Sequence, residues 1–517
     1  MSYIKRKEIA ILTLCLLVGF GLRFYTFDQK SLWVDEIHTF NDSRDDLHGQ
    51  IKFYKENPSY LHPPFFFILT HQFYPFTKPE RDLRIIPLIF GTLSIPMIYF
   101  LTRSFSTTIA LPCTLCLTFM TYHIYFSQDG RMYSLMMFVG MAGIYCFVKH
   151  LKTLKKKYLP LVAVCFAILF HTSYSSILFI AFIQMLWFYR IDDSQKKPTL
   201  SSFLMLNGIT LLLCVPWILY IIFSRKGQPF MDPLTVQDIG SLWALLRAVL
   251  NDWVPFSPLV IASLSLLILL PIFSKNRRNA FILLAVCVLP VIGLYSYCRL
   301  LNVTQFITSR YFINFLPFFF IALYLCLDAI EFKFERLKRL MQLRFYFLIL
   351  FIASNLIILP LYYRAEKQDF RGLVNYLNHH LRNGDKIIVG TFTYIPGILH
   401  YFRVEPKNRH YSIPFSWIDP GKEFEFKVSL TRENRNLNIY HSNIPYRRYV
   451  ADGSRVWIVV GKGPAAEDIG KNLPCVLKGF FDGSFAMFRK FPSDASMYLF
   501  LWDPQSPREK GIDMPID

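Results

Sequence analysis

What most limits the folds open to this chain is its succession of long apolar stretches, among them "IAILTLCLLVGFGLRFYTF", "LIFGTLSIPMIYFL" and "FLPFFFIALYLCL". A helix that crosses the hydrocarbon of a membrane needs about 20 such residues. The pattern predicts eleven spans, near 8–27, 84–102, 108–126, 131–148, 158–171, 174–190, 201–222, 257–273, 280–297, 310–329 and 345–363. The fifth is short and reads as tilted or partly re-entrant. Only 18% of the 517 residues are charged, against about 25% in soluble domains. The chain therefore reads as a polytopic α-helical membrane protein. Its basic, apolar N-terminus lacks a small-residue cleavage site, so it reads as an uncleaved first helix.

The formal charge of +20 does not point to nucleic acid. The cations lie in short loops between apolar blocks, where they orient a membrane protein and meet anionic lipid. One alternate set of loops carries Lys5 to Lys7, Arg103, Lys149, Lys152, Lys155 to Lys157, Lys196, Lys197, Arg277, Arg278 and Lys333 to Arg344. The other set holds Arg131, Arg299 and Arg310 as its main cations. The basic set is the cytoplasmic one by the positive-inside rule. The first outer loop is then 28–83, and everything after residue 364 lies outside.

Two domains are expected: a transmembrane domain over 1–363 and a periplasmic α/β domain over 364–517. In the second, "DKIIVG", "LNIY" and "RVWIVVG" read as strands, and "SFAMFRKF" as an edge or final strand. "FRGLVNYLNHHLRNG" reads as an amphipathic helix ended by Gly384. No internal repeat and no Gly-rich phosphate loop stands out, which argues against a nucleotide-driven pump. Most of the ten cysteines sit in apolar blocks, with Cys475 alone in the polar tail, so no disulfide framework or zinc spacing appears.

Polar residues that cost energy near a membrane collect on the outer side. "SLWVDEIHTF" carries Asp35 and Glu36, "LHPPFFFILTHQF" carries His62, and "ERDLRIIP" carries Arg84. "YFSQDGRMYSL" carries Asp129 and Arg131, "FHTSYS" carries His171 and Tyr174, and "TSRYF" carries Arg310 and Tyr311. Ionisable groups at membrane depth are functional by default. Guanidinium forks bind phosphate, and a carboxylate beside them can take a proton from an acceptor hydroxyl. This set suits transfer from a lipid-phosphate donor, whose leaving phosphate departs without protonation when cations stabilise it.

Each residue also has a plain structural reading. Asp35 and Glu36 are adjacent and cannot both face one way on a helix, so one of them reads as solvated or as a helix N-terminal cap. His62-Pro63-Pro64 is a turn and helix start. Asp129 and Arg131 can pair with each other, Arg310 can anchor at headgroups, and His171 can sit satisfied at a helix end. A divalent cation on Asp35, Asp129 and His62 is chemically possible, although no spacing specifies one.

Taken in order, these stretches, with "LRIIPLIFGTLSIPMIYFLTR", "HTSYSSILFIAFIQ" and "KQDFRGLVNYLNHHLRNGDKIIV", resemble the bacterial membrane glycosyltransferases of the GT-C fold. These are relatives of the protein O-mannosyltransferases and of the aminoarabinose transferase that modifies lipid A. The resemblance covers roughly residues 5–400. It implies a GT-C-type bundle in the inner membrane and transfer of a sugar, with inversion, from a polyprenyl-phosphate monosaccharide to a lipid, glycan or protein acceptor. It implies Asp35 as the catalytic acid/base, with Glu36 beside it, and Asp129 as a second acid. Arg131, Arg310 and Arg84 become phosphate candidates, and His62, His171, Tyr174 and Tyr311 substrate-orienting ones. Asp129 stands where the family more often has Glu, Gly130 where it has Ala, and Phe370 where it has Trp. A lipid-linked-sugar flippase and a scaffold with a periplasmic binding domain are the rival classes.

Overall fold

The computed structural model describes residues 6–56, 62–190, 198–225, 241–300, 307–333, 342–404, 423–432, 435–451, 453–461, 463–483 and 496–505. It divides into two compact units. One holds the chain up to Asp28 and Ser43–Tyr362; the other holds Gln29–Asp42 and the described residues from Tyr363 onward. The short segment around Asp35 thus belongs to the same unit as the C-terminal part of the chain.

The first unit is helical. Six described helices are long and apolar enough to cross a membrane: Pro79–Phe105, Tyr133–Thr153, Leu200–Ser224, Arg277–Leu300, Ser309–Lys333 and Leu343–Arg364. A seventh span arises if Leu242–Trp253 and Ser257–Phe273, bent by 113° across a short break, act as one. The expected count of eleven is not reached by this measure. Residues 8–27 give a helix of 19 residues, Arg6–Phe24 (α1). Residues 108–126 give two short helices, and 158–171 a helix of 14 residues, Leu159–Thr172. Residues 174–190 give Ser176–Ile183 followed by a 3-10 segment, Gln184–Phe188.

Some of the cations read as cytoplasmic orientation signals also bind the bundle together. Arg103 pairs with Glu8 at 2.7 Å and donates to the Tyr99 hydroxyl. Arg344 reaches Asp328 at 2.6 Å and Glu331 at 2.7 Å. Multiple partners make such networks more useful than isolated surface pairs.

In the second unit a six-stranded mixed sheet forms from Lys386–Val389 (β1), Glu425–Arg432 (β2), Arg435–Ser442 (β3), Val456–Gly461 (β4), Val476–Phe481 (β5) and Met497–Trp502 (β6). The strand order is β2-β3-β1-β4-β6-β5, and β1 runs parallel to both β3 and β4. The other pairings are antiparallel. The three strands read from sequence are β1, β3 and β4. Strands β2, β5 and β6 are not among the runs read from sequence, and "SFAMFRKF" lies outside the described residues. Val456, Ile458, Val460, Tyr498 and Phe500 share one buried cluster with Ala466 and Ile469 of a covering helix. The start of the sheet is pinned by Asp385, which accepts from Arg455 at 2.6 Å and from the Trp457 indole at 2.8 Å.

The amphipathic helix spans Phe370–His380 and opens with the Asp369 side chain accepting from the Gly372 amide. It stops before Gly384, which instead occupies a left-handed turn at φ 87° ahead of β1. Only glycine adopts that conformation without a steric cost.

Candidate functional site

Asp35 and Glu36 open a nine-residue helix, Val34–Asp42 (α2). A helix start leaves amide groups without intrahelical partners, and this one is supplied almost wholly by side chains. The Val34 amide donates to Gln368 Oε1 at 2.9 Å, and the Leu32 amide to the Tyr401 hydroxyl at 2.7 Å. The Ser31 amide donates to Glu366 Oε2 at 2.9 Å. The Trp33 amide turns to Glu36 Oε2 at 3.4 Å, so Glu36 closes half of a capping box from the third helical position.

This arrangement separates the two acids. Glu36 is 0% exposed, and its other oxygen lies 3.6 Å from the Lys367 ammonium, itself 1% exposed. Glu36 is thus a buried, paired, helix-capping residue. Asp35 is half-buried on the first turn. The Glu366 carboxyl is pushed up from its ordinary range, chiefly by burial and against the Ser31 amide bond.

Asp129 and Arg131 depend on a second construction, in the first unit. The helix Ala110–Phe119 (α3) breaks at Met120, whose backbone is extended, and resumes as Thr121–Ser127 (α4). A break inside a bundle strands carbonyls on one side and amides on the other. Arg23, fully buried on α1, donates to the Leu117 carbonyl at 2.9 Å and the Thr118 carbonyl at 3.2 Å. It also reaches His123 Nδ1 at 2.8 Å. Since arginine only donates, that ring nitrogen accepts. On the other side Asn355 Oδ1 accepts from the Thr121 amide at 2.8 Å.

Gln128 then ends α4. Its amide group donates to the Arg23 carbonyl at 2.8 Å and also to the Tyr25 carbonyl, while Tyr362 donates to its oxygen at 2.8 Å. Asp129, fully buried, and half-buried Arg131 follow in a tight turn in which the Arg131 amide bonds the Asp129 carbonyl at 2.6 Å. The close seat of α4 needs Gly91: a Cβ there would come 2.1 Å from Ser127 Oγ.

Arg310 and Tyr311 sit on the 3-10 turn Ser309–Phe315. The Arg310 guanidinium lies over two rings, 5.5 Å from Tyr311 and 5.9 Å from Tyr133. Nearby, Tyr122 is buried in the same region as Ser309, Trp253 and Asp252. Asp252 is 2% exposed and was missed in the sequence reading. Its signal was there, an acid in "NDWVP" directly before an apolar run.

Three other residues are engaged structurally. Arg84 is 1% exposed and donates to the Phe27 carbonyl at 3.0 Å, so it braces backbone and does not stand open to a phosphate. His171 Nε2 is 3.2 Å from the Leu213 carbonyl, where it can only donate, and acts as a helix-end tie. Tyr174 accepts from the Trp217 indole at 3.1 Å within an aromatic cluster. His62 is exposed just before the helix Phe65–His71. Among the described residues no group of three or more His, Cys, Asp or Glu is gathered as a metal cluster would be, so no metal role is assigned to Asp35, Asp129 or His62.

A cavity of about 650 Å³ opens among Leu242–Trp253, Ser257–Phe273, Arg277–Leu300 and the helix Leu316–Lys333. Its wall is almost wholly apolar, with Arg247, Asn251 and Ser257 as its polar residues, and Trp253 links it to the Tyr122 and Asp252 cluster.

Apolar spans, a broken helix and a small mixed sheet together define a mostly helical multi-pass membrane protein. The crystal structure of ArnT from Cupriavidus metallidurans in the apo state is matched with a TM-score of 0.52 and 9% identity, over 98% of this chain and 99% of that one. Residues 61–220 match the family of dolichyl-phosphate-mannose-protein mannosyltransferases. The same ArnT bound to undecaprenyl phosphate gives a TM-score of 0.47 at 10% identity, over 95% and 97% of the two chains. The Archaeoglobus fulgidus oligosaccharyltransferase complex with Zn and sulfate gives 0.45 at 14% identity, over 76% of this chain; the chain spans 61% of that protein's length. Among curated proteins none matches the sequence.

Proposed function

We propose that this protein is a glycosyltransferase of the inner membrane that moves a sugar, with inversion, from a polyprenyl-phosphate monosaccharide to an acceptor hydroxyl or amine on lipid A, a surface glycan or a protein. Its chemistry faces the periplasm. The observation that carries the reading is the division of labour at the start of α2. Glu36 is fully buried, beside Lys367 and capping the turn, while Asp35 on the same turn is half-buried and so within reach of solvent. A carboxylate placed there takes the proton from the acceptor nucleophile, a contribution of about 10²–10⁴-fold in rate.

Arg131 and Arg310 are the phosphate-holding candidates, Arg310 already stiffened by two aromatic faces. Asp129 orients groups from its rigid turn. The donor's polyprenyl tail fits the apolar cavity lined by Leu264, Leu267 and Phe319, with Arg247 among its few polar residues. The undecaprenyl phosphate on the ArnT of similar fold is consistent with this donor class.

The test compares surface glycans, lipid A and periplasmic proteins by mass spectrometry with and without the gene. A difference of one sugar identifies donor class and acceptor together. Asp35→Asn, in protein shown to be folded, is expected to abolish that difference. Full sugar transfer by Asp35→Asn would sink the mechanism.

A further inference from the structure

The motifs "SLWVDE" and "KQDFR" are separated by more than 300 residues, yet they build one object. Four successive amides, from Ser31 to Val34, are accepted by side chains of Glu366, Tyr401, Glu36 and Gln368. Arg371 adds two more ties, its amide to Ser31 Oγ at 3.3 Å and its guanidinium to the Gln29 carbonyl at 2.9 Å. Phe40, on the far turn of α2, meets the His400 ring edge-on at 4.7 Å. No strand pairing or disulfide is involved, so the attachment rests on these side chains.

Within it Lys367 has a particular place. Glu36 caps the turn that carries Asp35, and a fully buried carboxylate keeps its charge only beside a partner. Lys367, equally buried, is that partner. We infer that Lys367 is a positioning residue for Asp35: it holds Glu36 as the ionised cap of α2 and so fixes the turn on which Asp35 stands. The C-terminal α/β unit is then the seat of the carboxylate-bearing helix, not an appended binding module. This rests on the reading of Asp35 as the base.

The experiment uses full-length protein expressed in cells lacking their own copy. It reads the mass-shifted product per mole of variant in the membrane, the melting temperature in detergent, and the affinity for undecaprenyl phosphate as probe. Lys367→Met is expected to lower product at least about tenfold, in line with the cost of small misplacements of catalytic groups, with probe affinity within twofold of wild type. Lys367→Arg, which restores the charge, recovers most of the output. Glu36→Gln with Lys367→Met removes the stranded charge and recovers stability but not output. Tyr401→Phe, the loss of a single oxygen, lowers output at least threefold in a folded protein.

Wild-type output from folded Lys367→Met overturns the inference. If that variant does not accumulate, wild-type output from the double variant or from Tyr401→Phe does so. Wild-type output from Asp35→Asn overturns the parent reading instead, and the two failures are distinguished by which variant shows them.

Discussion

The break between α3 and α4 offers the sharpest energetic test. Asn355 supplies the acceptor for the Thr121 amide at 2.8 Å, while its own amide returns to the Phe351 carbonyl one turn back at 2.9 Å. Asn355 is 1% exposed and Thr121 0% exposed, so water does not replace a lost partner. In Asn355→Leu the side chain keeps its branch point and heavy-atom count, though it is bulkier, and accepts nothing. The stranded amide then costs about 1–3 kcal/mol, the usual penalty for a buried donor left unsatisfied. The bond from Thr121 Oγ1 to the Asn355 backbone carbonyl at 3.0 Å survives, which limits the loss to this range. Ser354→Ala is the matched control. Its hydroxyl bonds only its own helix, at the Phe351 carbonyl, and its removal should stay within about 0.5 kcal/mol. Unfolding in mixed micelles with increasing SDS measures both. Equal midpoints for the two variants would refute the argument that Asn355 repairs the break.

Two further outcomes follow from the geometry. Burial raises the Glu366 carboxyl above 4.5, so above that pH the folded protein binds more protons at this site than the unfolded chain does. Its contribution to stability therefore falls as pH rises from 4.5 until the folded-state group is ionised. Glu366→Gln keeps an acceptor for Ser31 and should gain on wild type across that window in parallel melts; a constant difference contradicts the assignment. Gly91→Ala drives a methyl into Ser127 and should cost about 1–3 kcal/mol, less in a Ser127→Gly background; an unchanged melting temperature for the single variant refutes the close packing.

Much of this was legible in the residues. Hydropathy marks a membrane chain because a lipid interior demands long apolar helices. Short apolar, β-branched runs mark β1, β3 and β4. The element count was less legible. At Met120 hydropathy continues unbroken while the helix does not, since the break is stabilised by Arg23 and Asn355, far from it in sequence. The charge of Arg84 is visible in the sequence, whereas its burial and its bond to the Phe27 carbonyl are set by the fold. Asp252 does not stand out in the sequence because Tyr122, near it in the fold, lies on another element.

For the pair that opens α2, sequence alone established that two adjacent acids stand in an apolar setting and that they cannot share one direction. That follows from helix geometry. Which acid is spent on the fold was decided by tertiary structure, because the deciding partner, Lys367, arrives from beyond the last membrane span. A buried charge must be met by an opposite one wherever the chain brings it, and local sequence carries no record of that meeting.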